Sequence, residues 1–176
     1  MATPKRQPYP ATRIKVGAVL YSAYATANDG KVESGINEWV VRNIRARRNS
    51  KTVHGMPVAN FGKEVPKVVN LAEKNPFTWG KRSKKTGDVG WLPNIWSGWR
   101  QQFEVGTDLP AGFYTTKRAA LAYAIADHEQ QAVSYAEDIA NETDEDELIF
   151  LKEIQAEIAA QIQALKRRAK ALAKSS

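Results

Sequence analysis

Residues 144–174 of this chain, DEDELIFLKEIQAEIAAQIQALKRRAKALAK, decide its fold. Eight positions in this stretch follow one another at alternating steps of three and four residues, and we call such a set a seam. They are Leu148, Leu151, Gln155, Ile158, Ile162, Leu165, Ala169 and Leu172. That spacing places the whole seam on one side of an α-helix. Because all of its members except Gln155 are apolar, the stretch predicts a long helix whose seam must be buried against another surface.

The segment before this stretch predicts a second helix of the same kind. Its seam has the same alternation: Leu121, Ile125, His128, Ala132, Tyr135 and Ile139. Thr115 or Thr116 can cap its start, and Thr143 or Asp144 can cap the helix that follows. A connection of only a few residues makes the two helices antiparallel neighbours. We therefore expect a long antiparallel helical hairpin over residues 115–176, with helices at about 116–141 and 144–173.

The chain upstream has the features of β-structure. Residues 1–12 are basic and rich in proline, so we expect a disordered arm. Residues 13–114 predict a basic domain built on a small antiparallel sheet, with a strand over 36–48 and a hairpin over 67–82 that turns at Asn75-Pro76. Helical spacing from Leu92 to Phe103 predicts one short Trp-rich helix. The fold class expected for the whole chain is α+β.

Charge is distributed unevenly along the chain. Residues 1–118 hold 20 Lys and Arg against 8 Asp and Glu, whereas residues 119–176 hold 6 against 11. The net charge of +7 favours a polyanion as partner, although a charge of this size also serves solubility. We expect an intracellular, cytoplasmic protein with no membrane partner, since no apolar stretch resembles a signal peptide or a spanning helix.

The basic residues cluster in two runs and at one helix start. Lys and Arg on neighbouring strand ends can neutralise the phosphates of one nucleic-acid track, and tryptophans near them can stack on unpaired bases. The alternatives are that the cations form a solvated rim and that the tryptophans form core. The candidate polyanion-binding residues are Arg42, Arg45, Arg47, Arg48, Lys51, Lys81, Arg82, Lys84, Lys85, Lys117 and Arg118.

The helical seam is a candidate interface as well as a candidate core. Two helices bury one seam between them, but apolar residues such as Ile149 and Phe150 flank it and need a further cover. This cover is the β-domain, a second copy or another protein. The candidate interface residues are Leu148, Leu151, Ile154, Ile158, Ile162, Leu165 and Leu172. The acidic block from Asp127 to Glu157 either binds a basic partner or is a solvated helix tip.

Catalytic and cofactor-binding patterns are missing from the sequence. The chain has no cysteine and two histidines, which lack metal-ligand spacing, so we expect no metal and no cofactor. No phosphate-binding loop, dinucleotide fingerprint or nucleophile elbow occurs, and His54 is the only plausible general base. We expect a non-catalytic protein whose basic β-domain binds nucleic acid and whose hairpin mediates self-association or partner docking. The alternative is an inhibitor or assembly component that binds an acidic protein.

Overall fold

A computed structural model describes residues 5–46, 67–74 and 100–175 in full, and the backbone of four short strands between them. The elements in chain order are β1 (Val19–Asn28), β2 (Lys31–Ala46), β3 (Thr52–Val53), β4 (Met56–Pro57), β5 (Lys67–Glu73), β6 (Thr78–Lys81), β7 (Val89–Leu92), β8 (Arg100–Glu104), α1 (Lys117–Asn141) and α2 (Glu145–Lys174). An antiparallel sheet has the strand order β1-β2-β5-β8, and β3-β4 and β6-β7 form two-stranded ladders. The predicted α+β class and the helical hairpin are confirmed.

The turn between β1 and β2 follows from two residues. Asp29 has φ of 48° and Gly30 has φ of 73°, so both central positions are left-handed. A two-residue turn of this kind matches the right-handed twist of the strands that it joins, and Asp-Gly is among its preferred sequences. The turn therefore fixes the pairing of β1 with β2.

Strand β5 pairs with different strands from those expected. It lies between β2 and β8, with Val69 opposite Ile44 on one side and opposite Phe103 on the other. Strand β6 pairs instead with β7, where Trp79 lies opposite Trp91. The predicted hairpin over 67–82 is therefore wrong, because distant strands outcompeted the local turn. Its turn at Asn75-Pro76 and the core of the predicted Trp-rich helix, residues 93–99, lie outside the described residues.

The two helices begin at the predicted caps. The Thr116 side chain accepts a hydrogen bond from the Ala119 amide, and Asp144 accepts hydrogen bonds from the amides of Asp146 and Glu147. Three acidic residues occupy the first turn of α2, where they complement the positive end of the helix dipole. At 25 and 30 residues, the helices are about 37 and 45 Å long.

The contacts divide the chain into two units that do not follow sequence order. The first unit, here called the hairpin unit, comprises residues 1–7, 21–37 and 111–176. Its core joins Leu121 and Ala124 of α1 to Leu165 of α2. Half-buried alanines of β1, Ile36 of β2 and the last turns of α2 pack against this core. The helices are thus held by the β1–β2 ribbon as well as by each other.

The second unit, here called the sheet unit, comprises residues 8–20 and 38–110. Among its described residues, Val41, Val69, Leu71 and Leu109 are almost completely buried. Alternation along β5 explains this core, since Val69 and Leu71 lie on one face of the strand and Asn70 lies on the other.

The predicted disordered arm makes hydrogen bonds from Lys5 onward. The Tyr114 hydroxyl donates to the carbonyl of Lys5, and the Gln7 side chain exchanges hydrogen bonds with Thr115. Within the sheet unit, the Tyr9 amide donates to the carbonyl of Thr107. The hydrogen-bond partners of residues 5–9 lie far along the chain, so the composition of the N-terminal segment alone could not predict them.

Candidate polyanion-binding face

A row of amide side chains crosses the outer face of the sheet unit. Asn43 of β2 lies opposite Asn70 of β5, which lies opposite Gln102 of β8. The Asn70 Nδ2 group donates to Asn43 Oδ1 at 2.8 Å. Neighbouring positions along β5 point into the core, so this row faces away from it. The row therefore offers amide donors and acceptors on a surface made of three strands.

Three arginines flank the amide row. Arg45 lies on β2 two residues beyond Asn43, and Arg100 lies on β8 two residues before Gln102, so both share the outer face. Arg42 falls where the register of β2 against β5 shifts between Val41 and Asn43. Such a β-bulge leaves one residue outside the ladder and redirects its side chain.

These side chains line a common groove. It has a volume of about 640 Å³, and its walls include Arg42, Arg45, Arg100 and the amide row. All three arginines are exposed. In the part of the chain that the structure describes, no ion pair joins any of them to a carboxylate. No carboxylate of the described residues therefore occupies their planar N–H donors, which can bind a phosphate or carboxylate bidentately.

The structure brings together part of the predicted basic set. Arg42 and Arg45 lie in the groove, whereas Lys117 and Arg118 belong to the hairpin unit. Lys81 is the last residue of β6, and its side chain is not described. The remaining candidates lie outside the described residues: Arg47, Arg48, Lys51, Arg82, Lys84 and Lys85.

The sequence patterns did not predict Arg100 or the amide row as site residues. The signal was present in RQQFE, residues 100–104, where Arg100, Gln102 and Glu104 alternate with Gln101 and Phe103. Because the predicted Trp-rich helix extends to Phe103, the period of two residues that is typical of a strand was not assigned to this segment. In the structure Phe103 lies opposite Val69 and contacts the Tyr9 ring edge-on, with a centroid distance of 6.4 Å.

The cations at the start of α1 are in a different setting. The Lys117 ammonium lies 5.5 Å from the centre of the Tyr21 ring, within the range of a cation–π contact. The Thr115 amide donates to Gln7 Oε1 at 3.1 Å, and the Thr115 hydroxyl accepts from Gln7 Nε2 at 3.0 Å. Gln7 thus occupies polar groups that an incoming anion would need at this helix start.

The tyrosines beside this helix start are partly shielded from water. Tyr114 is buried, and its ring lies 5.5 Å from that of Tyr123. Burial raises the pKa of Tyr114, and the neighbouring Tyr123 raises it further. Burial also raises the pKa of Tyr123, with a smaller contribution from Asp127 in the same direction. Both shifts favour the neutral, hydrogen-bonding form of each phenol.

The predicted interface residues differ in their exposure. Ile158, Ile162 and Leu165 are buried inside the chain and serve its own core. Leu148, Leu151, Ile154 and Leu172 are half-buried. Towards the connection between the helices, Ile149 and Phe150 remain 59% and 54% exposed. The cover that these two side chains need is therefore not provided by the described part of the chain.

No group of three metal-ligating side chains occurs among the residues that the structure describes. His128 Nδ1 lies 2.8 Å from the Ala124 carbonyl, which can only accept, so this nitrogen carries a proton. His54 lies outside the described residues. Neither α1 nor α2 has a stretch apolar enough to cross a lipid bilayer.

Comparison with protein-family models, with curated proteins and with solved structures finds no match to this chain.

Proposed function

We propose that this protein is a non-catalytic nucleic-acid-binding protein that holds the phosphate backbone on the outer face of its sheet unit. The helical hairpin, in the same proposal, mediates association with a second copy or a partner. The observation that carries the proposal is the convergence of Arg42, Arg45 and Arg100 on one groove without carboxylate partners among the described residues.

The chemistry of the groove suits a phosphate track. Arginines bind phosphate bidentately, and each neutralised phosphate releases counterions, which provides affinity independent of base sequence. Amide side chains such as Asn70 and Gln102 can donate to phosphate or sugar oxygens and can bond to base edges. A three-stranded surface also has the length to follow several phosphates rather than one carboxylate.

An acidic protein is the competing ligand, since its carboxylates also fit arginine. The two ligands differ in geometry: phosphates recur at regular spacing along a strand, whereas surface carboxylates are scattered. Nucleic acid therefore predicts a steep, linear dependence of log affinity on log salt concentration.

The test is a charge reversal on the groove. Arg42→Glu, Arg45→Glu and Arg100→Glu are combined, and binding of a labelled oligothymidylate and of a mixed-sequence duplex is measured by fluorescence anisotropy over a salt series. We expect affinity for at least one of the two probes to fall by about tenfold or more. For a single strand, the salt slope should shrink by about 2 if three phosphate contacts are lost.

The matched control reverses three cations that lie elsewhere. Arg13, Lys15 and Lys31 are exposed and lie outside the groove, so their change to Glu removes the same net charge. The control should retain most of the affinity. Equal losses in the two triple variants would show binding to net charge alone. No binding of either probe at low salt, together with tight binding of polyglutamate, would favour the hypothesis that the ligand is an acidic protein.

A further inference from the structure

We propose that copies of this protein associate head to tail, with the tip of one helical hairpin docked in an apolar groove at the base of the next. The inference rests on the part of the proposed function that assigns association to the hairpin, and it does not require nucleic acid. The tip is defined as residues 133–153 and the base groove as the groove between the start of α1 and the end of α2.

The base groove is apolar with a basic edge. Leu121 and Ile125 of α1 and Leu172 of α2 line it, and its volume is about 460 Å³. That volume lies within the range of about 300–1,000 Å³ typical of pockets that bury a ligand. Arg118 and Lys170 also line the groove and are exposed. Neither forms an ion pair with a carboxylate in the described ranges.

The tip has the opposite charge around an apolar centre. Ile149 and Phe150 are more than half exposed, and Val133 of α1 is 37% exposed. Residues 137–147 hold seven acidic side chains and no basic one. Large apolar groups so exposed at one end of a soluble protein are typical of a contact surface.

The tip of one copy is complementary to the base groove of another copy, whereas two tips or two base grooves are not complementary to each other. A tip against a tip brings acidic side chains together, and a base against a base brings cations together, which is repulsive in both cases. A tip in a base groove buries Phe150 and Ile149 against Ala122, Ile125 and Leu172. It also places carboxylates beside Arg118 and Lys170.

The base groove favours an occupant that combines exposed apolar side chains with carboxylates. A second copy is therefore the occupant that matches the groove in both polarity and charge. Because the two contacting surfaces differ, a docked pair still presents one free tip and one free groove, so further copies can add at either end.

The experiment measures mass against concentration by sedimentation velocity, without nucleic acid, for variants of each surface. The tip variant is Phe150→Ser, and the groove variant combines Arg118→Glu with Lys170→Glu. Ala122→Asp, at an exposed lining position, is a second groove variant in case the first fails to fold. Val16→Ser and Lys15→Glu are the controls, because both residues are exposed and lie in the sheet unit, outside the hairpin unit.

We expect the average mass of the wild type to rise with concentration between roughly 1 μM and 1 mM. Each surface variant should weaken association by about tenfold or more, whereas both controls should behave like the wild type. An equimolar mixture of the tip and groove variants should form a pair, because the intact tip of the groove variant fits the intact groove of the tip variant. This pair should grow no further, because its two free surfaces are the altered ones.

Three outcomes would overturn the inference. The wild type could stay monomeric over the whole range, which would leave the tip to a different partner. The groove variants could associate like the wild type while Phe150→Ser does not, which would place the tip at another surface. Finally, the mixed variants could fail to pair, which would indicate a contact between like surfaces.

Nucleic-acid binding of the same variants separates this inference from the proposed function. The intrinsic affinity for an oligothymidylate of about 12 nucleotides, short enough for one protein, should be unchanged by Phe150→Ser. Association without any binding of this probe or a duplex would leave the head-to-tail contact standing while the nucleic-acid proposal fails. Binding without association would have the opposite meaning.

Discussion

Single residues in this protein derive their roles from their neighbours in space. Arg42 is one of several basic residues near the end of β2, yet the register shift after Val41 directs it to the groove. Arg100 lies far along the chain and reaches the same groove because β8 pairs with β5. The charge of each was visible in the sequence, but their shared position was not.

Glu142 provides a pH-dependent contribution at the residue scale. Its carboxylate accepts hydrogen bonds from the amides of Thr143 at 2.7 Å and Asp144 at 3.0 Å. These bonds favour the ionised form and hold the pKa of Glu142 below its ordinary value of 4.5. Folding therefore gains stability from this group above pH 4.5, and that gain is lost as the pH falls through the lowered pKa.

The test is Glu142→Gln, which keeps an acceptor oxygen but removes the charge. We expect the variant to be less stable than the wild type at neutral pH, with the difference shrinking below about pH 4.5. Urea unfolding at several pH values measures it. A difference that stays constant across that range would contradict the assignment.

At the scale of elements, the β1–β2 ribbon depends on a glycine and an aromatic ring. A Cβ atom placed on Gly35 would collide with the ring of Tyr24, which covers this glycine from the adjacent strand. An aromatic side chain over a strand glycine compensates for the missing side chain and fixes register. Tyr24 and Gly35 are close in sequence, but their spacing does not distinguish a tyrosine that covers a glycine from a tyrosine that faces solvent.

A double-mutant cycle tests this pair. Gly35→Ala should displace the Tyr24 ring and destabilise the protein by about 1 kcal/mol. In a Tyr24→Ala background the collision is gone, so the same change should be neutral or stabilising, because alanine loses less chain entropy than glycine. Thermal unfolding of the four proteins measures the coupling. Equal effects in both backgrounds would show that ring and glycine are independent.

The helices were predicted more accurately than the strands because their determinants are local. Capping by Thr116 and Asp144, the acidic first turn of α2 and the three-four alternation all act within a few residues. The prediction of a hairpin over 67–82 is wrong because the local turn signal at Asn75-Pro76 competes with pairing to strands from elsewhere in the chain. Strand β5 instead gains a neighbour on each side, which buries Val69 and Leu71 almost completely.

At the scale of the whole molecule, the hairpin unit is assembled from separated parts of the chain. Leu165 is fully buried where α1, α2 and the β1–β2 ribbon meet. The Arg168 guanidinium donates to the Ser34 carbonyl at 3.0 Å, and Lys166 pairs with Glu129 at 2.7 Å. The exposed ion pair contributes little, so we attribute most of the stability of this unit to the apolar core.

Leu165→Ala tests that core, with Ile149→Ala as the control on the same helix. Loss of a fully buried leucine should cost about 2–5 kcal/mol, whereas truncating a side chain that is 59% exposed should change stability by less than about 0.5 kcal/mol. Hydrogen exchange should show reduced protection in α1 and in β1–β2 together. Weakened protection confined to α2 would indicate that the helices and the ribbon do not unfold as one unit.

The sequence by itself determined the α+β class, the two helices with their caps and the separation of charge along the chain. These features depend on interactions between residues close in sequence, for which spacing and residue type are sufficient. Only the tertiary structure decided that β5 lies between β2 and β8, that Arg100 joins Arg42 and Arg45, and that Phe150 stays exposed while Leu165 is buried. Strand pairing and burial depend on which distant surfaces meet, and that choice minimises the exposed apolar area of the whole chain rather than of any one segment.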